Sequence, residues 1–107
     1  IVQLSTLSTD NTNIAERFML YQNFPNPFNP ITTLRYDVPE EAFVNITVYD
    51  MFGNTVKSLV NEKKSSGFKS VQWNAKNNRG QPVSAGVYLY SIEAGDFRQT
   101  KKMIFLK

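Results

Sequence analysis

The sequence predicts an all-β fold, a seven-stranded antiparallel β-sandwich of immunoglobulin-like type. Residues that favour strands are abundant, because eight Phe, five Tyr and one Trp accompany many Val, Ile and Thr in a chain of 107 residues. Several segments alternate apolar and polar side chains with a period of two, and none sustains the 3.6-residue period of a helix. Turn signals separate these segments roughly every 8–12 residues, which is typical of a sandwich.

Seven segments are predicted to be strands. In chain order they are 17–23, 31–39, 43–50, 55–62, 67–75, 86–95 and 97–107. The alternation is clearest in the second and third segments, where the apolar positions should face the core: Leu34, Tyr36 and Val38, then Val44, Ile46 and Val48. The apolar run at 103–106 does not alternate, which predicts burial on both faces.

Two tight turns are predicted between the strands. The segment DMFGN, residues 50–54, has Asp at its first position and Gly at its fourth, which suits a type I turn followed by a left-handed glycine. Gly95 and Asp96 should form the tip of a hairpin between the last two strands.

Residues 1–16 are rich in Ser, Thr and Asn, and we expect them to form a linker or weakly ordered lead-in before a domain at 17–107. Residues 1–4 could still add a short edge strand. The chain has no initiator Met and no secretory signal at its start, so it resembles a piece of a longer protein.

The segment NFPNPFNP, residues 23–30, has prolines at 25, 27 and 30. Proline fixes φ and removes a hydrogen-bond donor, and it pushes the preceding residue toward extended backbone. We expect a stiff, polyproline-like bridge that leaves one sheet and crosses an end of the sandwich to the strand at 31, with Phe24 and Phe28 as anchors. Binding of the segment to a peptide groove is the alternative.

Composition excludes most catalytic chemistry. Without Cys or His there are no thiol nucleophiles, no Ser-His-Asp triads and few possible zinc sites. The carboxylates lie in predicted turns and suggest no cleft, so we expect a protein that is not an enzyme and holds no cofactor. The loop 74–86 has no Asp or Glu, which disfavours calcium; its Asn74, Asn77 and Asn78 should instead satisfy turn backbone.

Two surface functions remain open at this stage. Trp73, Tyr88 and Tyr90 could form a platform for sugars, although their alternation favours packing in the core. The formal charge of +3 is mild, but the last ten residues carry four basic side chains and no acidic one. Such an end can bind nucleic acid or anionic lipid; lysines that protect a solvated strand edge are the simpler interpretation. We predict no nucleic-acid partner and no membrane insertion.

The segment RQTKKMIFLK, residues 98–107, combines basic residues with an apolar end. It is either a strand that closes the core or an exposed C-terminal address that a receptor binds.

Taken in order, FPNPFNP, TTLRYDVP, VNITVYDMFGN, GVYLYSIEAG and the final KKMIFLK resemble the C-terminal sorting domain of the type IX secretion system, of type A in the Por secretion tail family. The resemblance covers roughly residues 20–107. The residues that match the family motifs are Pro25, Asn26 and Pro27, then Gly86 and Tyr88, and finally Lys101, Lys102, Met103, Ile104, Phe105 and Leu106. The resemblance implies that the translocon recognises these last six residues together with Lys107.

This resemblance implies a seven-stranded immunoglobulin-like sandwich that directs an upstream cargo domain across the outer membrane. Its partners would be the outer-membrane translocon and a sortase-like peptidase, which commonly removes the domain and anchors the cargo. The protein would reach the cell surface, or be secreted, by way of the periplasm. A structural or carbohydrate-binding module of an extracellular protein is the alternative. The region from Trp73 to Tyr88 also resembles the immunoglobulin-like domain of flagellar hook-capping proteins.

Overall fold

A computed structural model describes residues 14–107, which form seven antiparallel strands in two sheets. The strands are β1 (Met19–Leu20), β2 (Thr32–Val38), β3 (Ala42–Tyr49), β4 (Thr55–Lys64), β5 (Gly67–Trp73), β6 (Gly86–Ala94) and β7 (Phe97–Phe105). Sheet A contains three strands in the order β1-β2-β5, and sheet B contains four in the order β4-β3-β6-β7. The predicted all-β sandwich is confirmed. The possible edge strand at residues 1–4 lies outside the described residues.

The core lies between the sheets and consists of the residues that alternate inward. The predicted inward positions of β2 and β3 are all buried. They are joined by side chains from β5, β6 and β7, of which the largest fully buried ones are Trp73, Tyr90, Ile92 and Met103. Within residues 14–107 there is no helix long and apolar enough to cross a membrane.

The first and last strands differ from their predicted extents. Only Met19–Leu20 forms β1, although Tyr21 continues the pairing by donating its N–H to the Arg35 carbonyl. At the other terminus, β7 ends at Phe105 and Leu106 is 52% exposed. The predicted burial of 103–106 on both faces is therefore wrong for Leu106, which lies on the side of Ile104, toward the outer face of sheet B, and a two-layer sandwich buries only the inner face of each sheet.

The sandwich has two distinct ends, and the strand pairings define them. Phe18, just before β1, stacks on Phe97 with ring centroids 5.6 Å apart. Phe105 lies at the opposite end of β7, eight residues and about 26 Å further along the strand. We call the end of the sandwich that contains Phe105 the C-terminal end. It comprises the segments 24–34, 48–57, 73–89 and 102–107.

The two predicted turns are confirmed. Gly95 and Asp96 connect β6 to β7, and Gly95 has a positive φ of 59°. In the turn at 50–54, the Asp50 carbonyl accepts a hydrogen bond from the Gly53 N–H, and Gly53 has a φ of 88°. A residue with a Cβ adopts that φ at a cost, which explains the glycine.

Candidate functional site at the C-terminal end

The proline loop, residues 24–31, begins and ends in the same sheet. Phe24 and Thr33 exchange backbone hydrogen bonds of 3.0 and 2.9 Å, so both flanks of the loop belong to sheet A. The peptide bonds before its three prolines are cis. The prediction of a polyproline-like bridge that leaves one sheet for the strand at 31 is wrong, because the hydrogen bonds between Phe24 and Thr33 close the segment into a loop on sheet A. We call this loop the lobe.

One of the two predicted anchors holds this lobe in place. Phe28 is 2% exposed and its ring lies 5.2 Å from that of Phe105 and 5.7 Å from that of Trp73. Phe24, in contrast, is 75% exposed and anchors nothing in the core. The prediction is therefore confirmed for Phe28 and wrong for Phe24, whose position opposite Thr33 places it on the outer face of sheet A.

The proline loop is bonded directly to the last strand. The Phe28 N–H donates to the Ile104 carbonyl at 3.0 Å, and the Leu106 N–H donates to the Phe28 carbonyl at 2.9 Å. The Asn26 side-chain Oδ1 accepts the Ile104 N–H at 2.9 Å. These three bonds occupy the edge of β7 that β6 leaves free.

The Gly-x-Tyr element lies on the other side of the same strand. Gly86 pairs with Phe105 and Tyr88 pairs with Met103. A Cβ on Gly86 would meet no atom within 4 Å, but its φ of 150° is one that other residues rarely adopt. The three motif segments thus form one structure, with the end of β7 between the Asn26 side of the proline loop and the start of β6.

An aromatic cluster holds this junction together. Phe28 and Phe105 stack, and Trp73 meets Tyr88 edge-on with ring centroids 5.4 Å apart. The Tyr88 hydroxyl donates to the Ser84 carbonyl at 2.6 Å. Trp73, Tyr88 and Tyr90 are 1%, 6% and 0% exposed, so their predicted packing in the core is confirmed and they present no platform to a sugar.

A buried polar network beside the cluster was not predicted from the sequence. Asn23 is 2% exposed, and its side-chain amide donates to Thr32 Oγ1 at 2.9 Å and to the Pro25 carbonyl at 3.2 Å. Its backbone N–H donates to the Tyr90 hydroxyl at 2.8 Å, and that hydroxyl donates to the Tyr21 carbonyl at 2.8 Å. The sequence did contain one signal of this network. Thr32 occupies an inward position of an alternating strand, and a buried hydroxyl needs a hydrogen-bond partner.

The network predicts that the domain loses stability at alkaline pH. Burial raises the pKa of Tyr90 to about 12, against about 10 in an unfolded chain. Because the unfolded chain loses this proton first, the folded state binds more protons between these values. The free energy of unfolding should therefore fall as the pH rises from about 10 to 12, by up to about 1.4 kcal/mol per pH unit from this residue.

Urea unfolding of the wild type and of Tyr90→Phe, followed at several pH values from neutral upward, tests this. At neutral pH the variant should be less stable by about 1–3 kcal/mol, because two buried backbone groups lose their partner. Its alkaline slope should be shallower, although Tyr36, whose pKa burial also raises, still contributes. Equal slopes in the two proteins would contradict the assignment to Tyr90.

The residues predicted for recognition divide into two groups. Met103 and Phe105 are 0% and 3% exposed and face the core. Lys101 and Ile104 are partly exposed, while Lys102, Leu106 and Lys107 are exposed. In the folded domain, a partner has access to the lysines, to part of Ile104 and to Leu106. Met103 and Phe105 hold the strand in place.

A family model for the FlgD Ig-like domain matches residues 31–96, which is more than half of the chain. The chain belongs to the FlgD Ig-like domain family. The similarity to hook-capping proteins predicted from residues 73–88 is thereby confirmed at the level of the family. No match is found among curated proteins.

Solved structures with this FlgD Ig-like fold include two proteins of Porphyromonas gingivalis. Dimeric latent PorU superposes with a TM-score of 0.63 at 24% identity, over 83% of this chain and 9% of PorU. PorZ, described as an essential surface component of the type IX secretion system, gives 0.58 at 20% identity, over 82% of this chain and 11% of PorZ. The chain thus spans about a tenth of each protein. FlgD of P. aeruginosa gives 0.53 at 17% identity, over 85% of this chain and 72% of FlgD.

Charge is distributed unevenly along this FlgD Ig-like domain. The segments of the C-terminal end contain five basic side chains and a single acidic one: Lys57, Lys76, Arg79, Lys102 and Lys107, with Asp50. The remainder of residues 14–107 contains seven of each sign. Within the described residues, the two ion pairs, Lys64–Glu62 and Arg98–Glu93, both lie away from the C-terminal end. The C-terminal end is therefore the basic end of the domain.

The prediction that asparagines of the loop at 74–85 satisfy turn backbone is confirmed for Asn77. Asn77 Oδ1 accepts the N–H groups of Arg79 and Gln81 at 2.9 and 3.0 Å. Asn78 Oδ1 accepts the Ser58 N–H at 3.0 Å, which ties the loop to the edge of β4. In the part of the chain that the structure describes, no three His, Cys, Asp or Glu side chains are grouped to hold a metal ion.

Proposed function

We propose that this immunoglobulin-like domain is a C-terminal sorting signal that directs an upstream cargo domain through the outer-membrane translocon of a type IX secretion system. The observation that carries the proposal is the convergence of the three motif segments. Asn26 and Phe28 bind the backbone of Ile104 and Leu106, while Gly86 pairs with Phe105 across the same strand. Segments up to 78 residues apart in sequence thus form one surface, as a single recognition site requires.

The geometry also suits a signal that works on unrelated cargo. The chain enters the described domain beside Phe18, which stacks on Phe97, and the exposed Lys107 lies at the opposite end of β7. Phe18 and the terminal residues therefore lie about 26 Å apart, at opposite ends of the sandwich. The basic terminal surface would speed association with an acidic receptor.

In this proposal the domain binds but does not catalyse. Its partners are the translocon and a sortase-like peptidase, which removes the domain or anchors the cargo, and its destination is the cell surface or the medium by way of the periplasm. A structural module of an extracellular protein is the alternative, and it shares the fold. The two differ in whether the domain alone moves a foreign cargo.

The test is a fusion of the full chain to the C-terminus of a fluorescent protein that is directed to the periplasm of a type IX bacterium. We expect the fusion at the cell surface in the parent strain and in the periplasm of a translocon-deficient strain. Deleting Leu106 and Lys107 should reduce surface delivery while the domain stays folded, because both side chains are exposed. The melting temperature should fall by about 5–15 °C, because the backbone bond from the Leu106 N–H is lost.

The control is a double variant at the opposite end, Glu40→Ser with Glu41→Ser, which alters two exposed side chains and should be delivered normally. A wild-type fusion that stays in the periplasm would overturn the proposal. Equal delivery in the translocon-deficient strain would also overturn it, because the fusion would then reach the surface without the translocon.

A further inference from the structure

Phe52 is the most exposed large apolar side chain among residues 14–107, at 91%, and its neighbour Met51 is 58% exposed. Both lie in the turn between β3 and β4, at the C-terminal end. Burying a phenylalanine side chain is strongly favourable relative to leaving it in water. A single exposed apolar residue is ordinary, so the significance of Phe52 depends on its surroundings.

Several hydrogen bonds hold the turn that carries Phe52. Asp50 Oδ1 accepts the N–H groups of Phe52 and Asn54, each at 2.9 Å, and the Asp50 carbonyl accepts the Gly53 N–H at 3.1 Å. The Asn54 N–H in particular lowers the pKa of Asp50, so its carboxylate stays charged and bonded. A side chain on a pre-ordered turn loses less conformational entropy on binding than one on a mobile loop.

An apolar strip on the outer face of sheet B continues from this turn. Tyr49 precedes the turn and pairs with Leu89 of β6. Val87, two residues before Leu89 and on the same face of the sheet, pairs with Ile104 of β7. All four are partly exposed. Together with the turn they define the docking surface: Tyr49, Met51, Phe52, Val87, Leu89 and Ile104.

The rest of the same face is mostly polar, with Phe43 as its exposed apolar residue at the opposite end. The next row across the strands toward the opposite end consists of hydroxyl side chains, with Thr47 paired to Ser91 and Ser91 paired to Thr100. Beyond it lie Glu93 and its ion-pair partner Arg98. Apart from Phe43 at the opposite end of β3, the exposed apolar side chains of this face are thus grouped at the C-terminal end, which is the pattern of an interaction site rather than of a uniformly apolar sheet face.

Charge selects among the possible occupants. Lys102 aligns with Leu89 on the docking surface, and the C-terminal end as a whole has five basic groups for one acidic group. A symmetric dimer through this surface would bring two basic ends together, which repulsion disfavours. A protein with acidic groups around an apolar socket is complementary to the docking surface both in its apolar character and in its positive charge.

We propose that the docking surface binds a protein partner through an apolar socket rimmed by carboxylates, with Phe52 as the anchor and Lys102 at the rim. The proposal rests on the proposed function, since the partner is then the receptor of the export apparatus. It adds to the terminal motif a contact made by a turn about 50 residues earlier in the sequence. The address is therefore a surface of the folded domain.

The test uses the cargo fusion with Phe52→Ser, and Phe43→Ser is the matched control. Phe43 is also exposed, at 57%, and it lies near the start of β3, whereas Phe52 lies in the turn that follows the end of β3. Phe52→Ser should lower surface delivery about tenfold or more, as expected for the loss of an anchor residue. Phe43→Ser should not lower it, and the melting temperatures of both variants should match that of the wild type.

A second pair of variants tests the charge. Lys102→Glu should reduce delivery several-fold, and Lys63→Glu, which changes an exposed lysine paired with Phe43, should leave it unchanged. Equal effects of the two lysine variants would contradict an acidic rim and overturn this part of the proposal.

The outcomes separate this inference from the function on which it rests. If the wild-type fusion is not delivered, the proposed function fails and the inference fails with it. If the wild type and Phe52→Ser are delivered equally, only the inference is overturned. Dimerisation of the isolated chain in sedimentation, or its binding to vesicles of phosphatidylethanolamine and phosphatidylglycerol, would also overturn it if Phe52→Ser abolished that association.

Discussion

Removal of residues 103–107 should unfold the domain, whereas removal of Leu106 and Lys107 alone should leave it folded. Met103 and Phe105 are 0% and 3% exposed and fill the core. Truncating one such side chain typically costs about 2–5 kcal/mol. Losing both of them, with their pairing to β6, should cost about 5 kcal/mol or more, which approaches the whole stability of a small domain.

Thermal unfolding by circular dichroism tests the two deletions side by side. The shorter deletion removes two exposed side chains and the bond from the Leu106 N–H to the Phe28 carbonyl, so we expect a loss of about 1–2 kcal/mol. A cooperative transition near the wild-type temperature in the longer deletion would contradict the placement of Met103 and Phe105 in the core.

This difference decides how a transport experiment should be made. A protein that lacks residues 103–107 would fail to be exported whether or not a receptor reads its terminus, because it would not fold. The deletion of Leu106 and Lys107 removes accessible atoms and keeps the fold. It therefore tests recognition by itself.

Phe28→Ala should destabilise the domain by about 3–5 kcal/mol, while Phe24→Ala should change its stability by less than about 0.5 kcal/mol. The two phenylalanines belong to the same proline loop but differ in burial, at 2% and 75% exposed. Phe28 contacts the rings of Trp73 and Phe105, so its removal leaves a cavity where the two sheets meet.

The measurement is denaturant unfolding, supported by a melting temperature that should fall by more than about 10 °C in Phe28→Ala. Phe24→Ala is the matched control, because it makes the same chemical change four residues earlier in the loop. Equal losses in the two variants would show that the loop is not anchored as the structure describes.

The alternating strands were predictable because their side chains respond to a local rule. In β2 and β3 every second residue is apolar, and a strand that lies on a core must bury that face. Leu34, Tyr36 and Val38 are accordingly buried, as are Val44, Ile46 and Val48. The turn at 50–54 was predictable for a similar reason, since its Asp and Gly satisfy requirements of the turn itself.

The proline loop was not predictable to the same degree. Prolines restrict the local backbone, but they do not determine which sheet receives the segment or which of two phenylalanines faces inward. The pairing of Phe24 with Thr33 and the contact of Phe28 with Phe105 depend on residues far along the chain. The buried role of Asn23 has the same origin, because its partners Thr32 and Tyr90 are brought to it by the packing of the sheets.

The sequence by itself determined the fold class, most of the strands, the tight turns and the absence of Cys and His chemistry, because these follow from composition and from patterns within a few residues. Only the tertiary structure decided that Asn26, Gly86 and Ile104 meet at one junction, that Met103 and Phe105 are core residues, and that Phe52 lies at the basic end. These features arise from pairings between distant segments. A local pattern contains no information on such pairings until the two sheets are packed together.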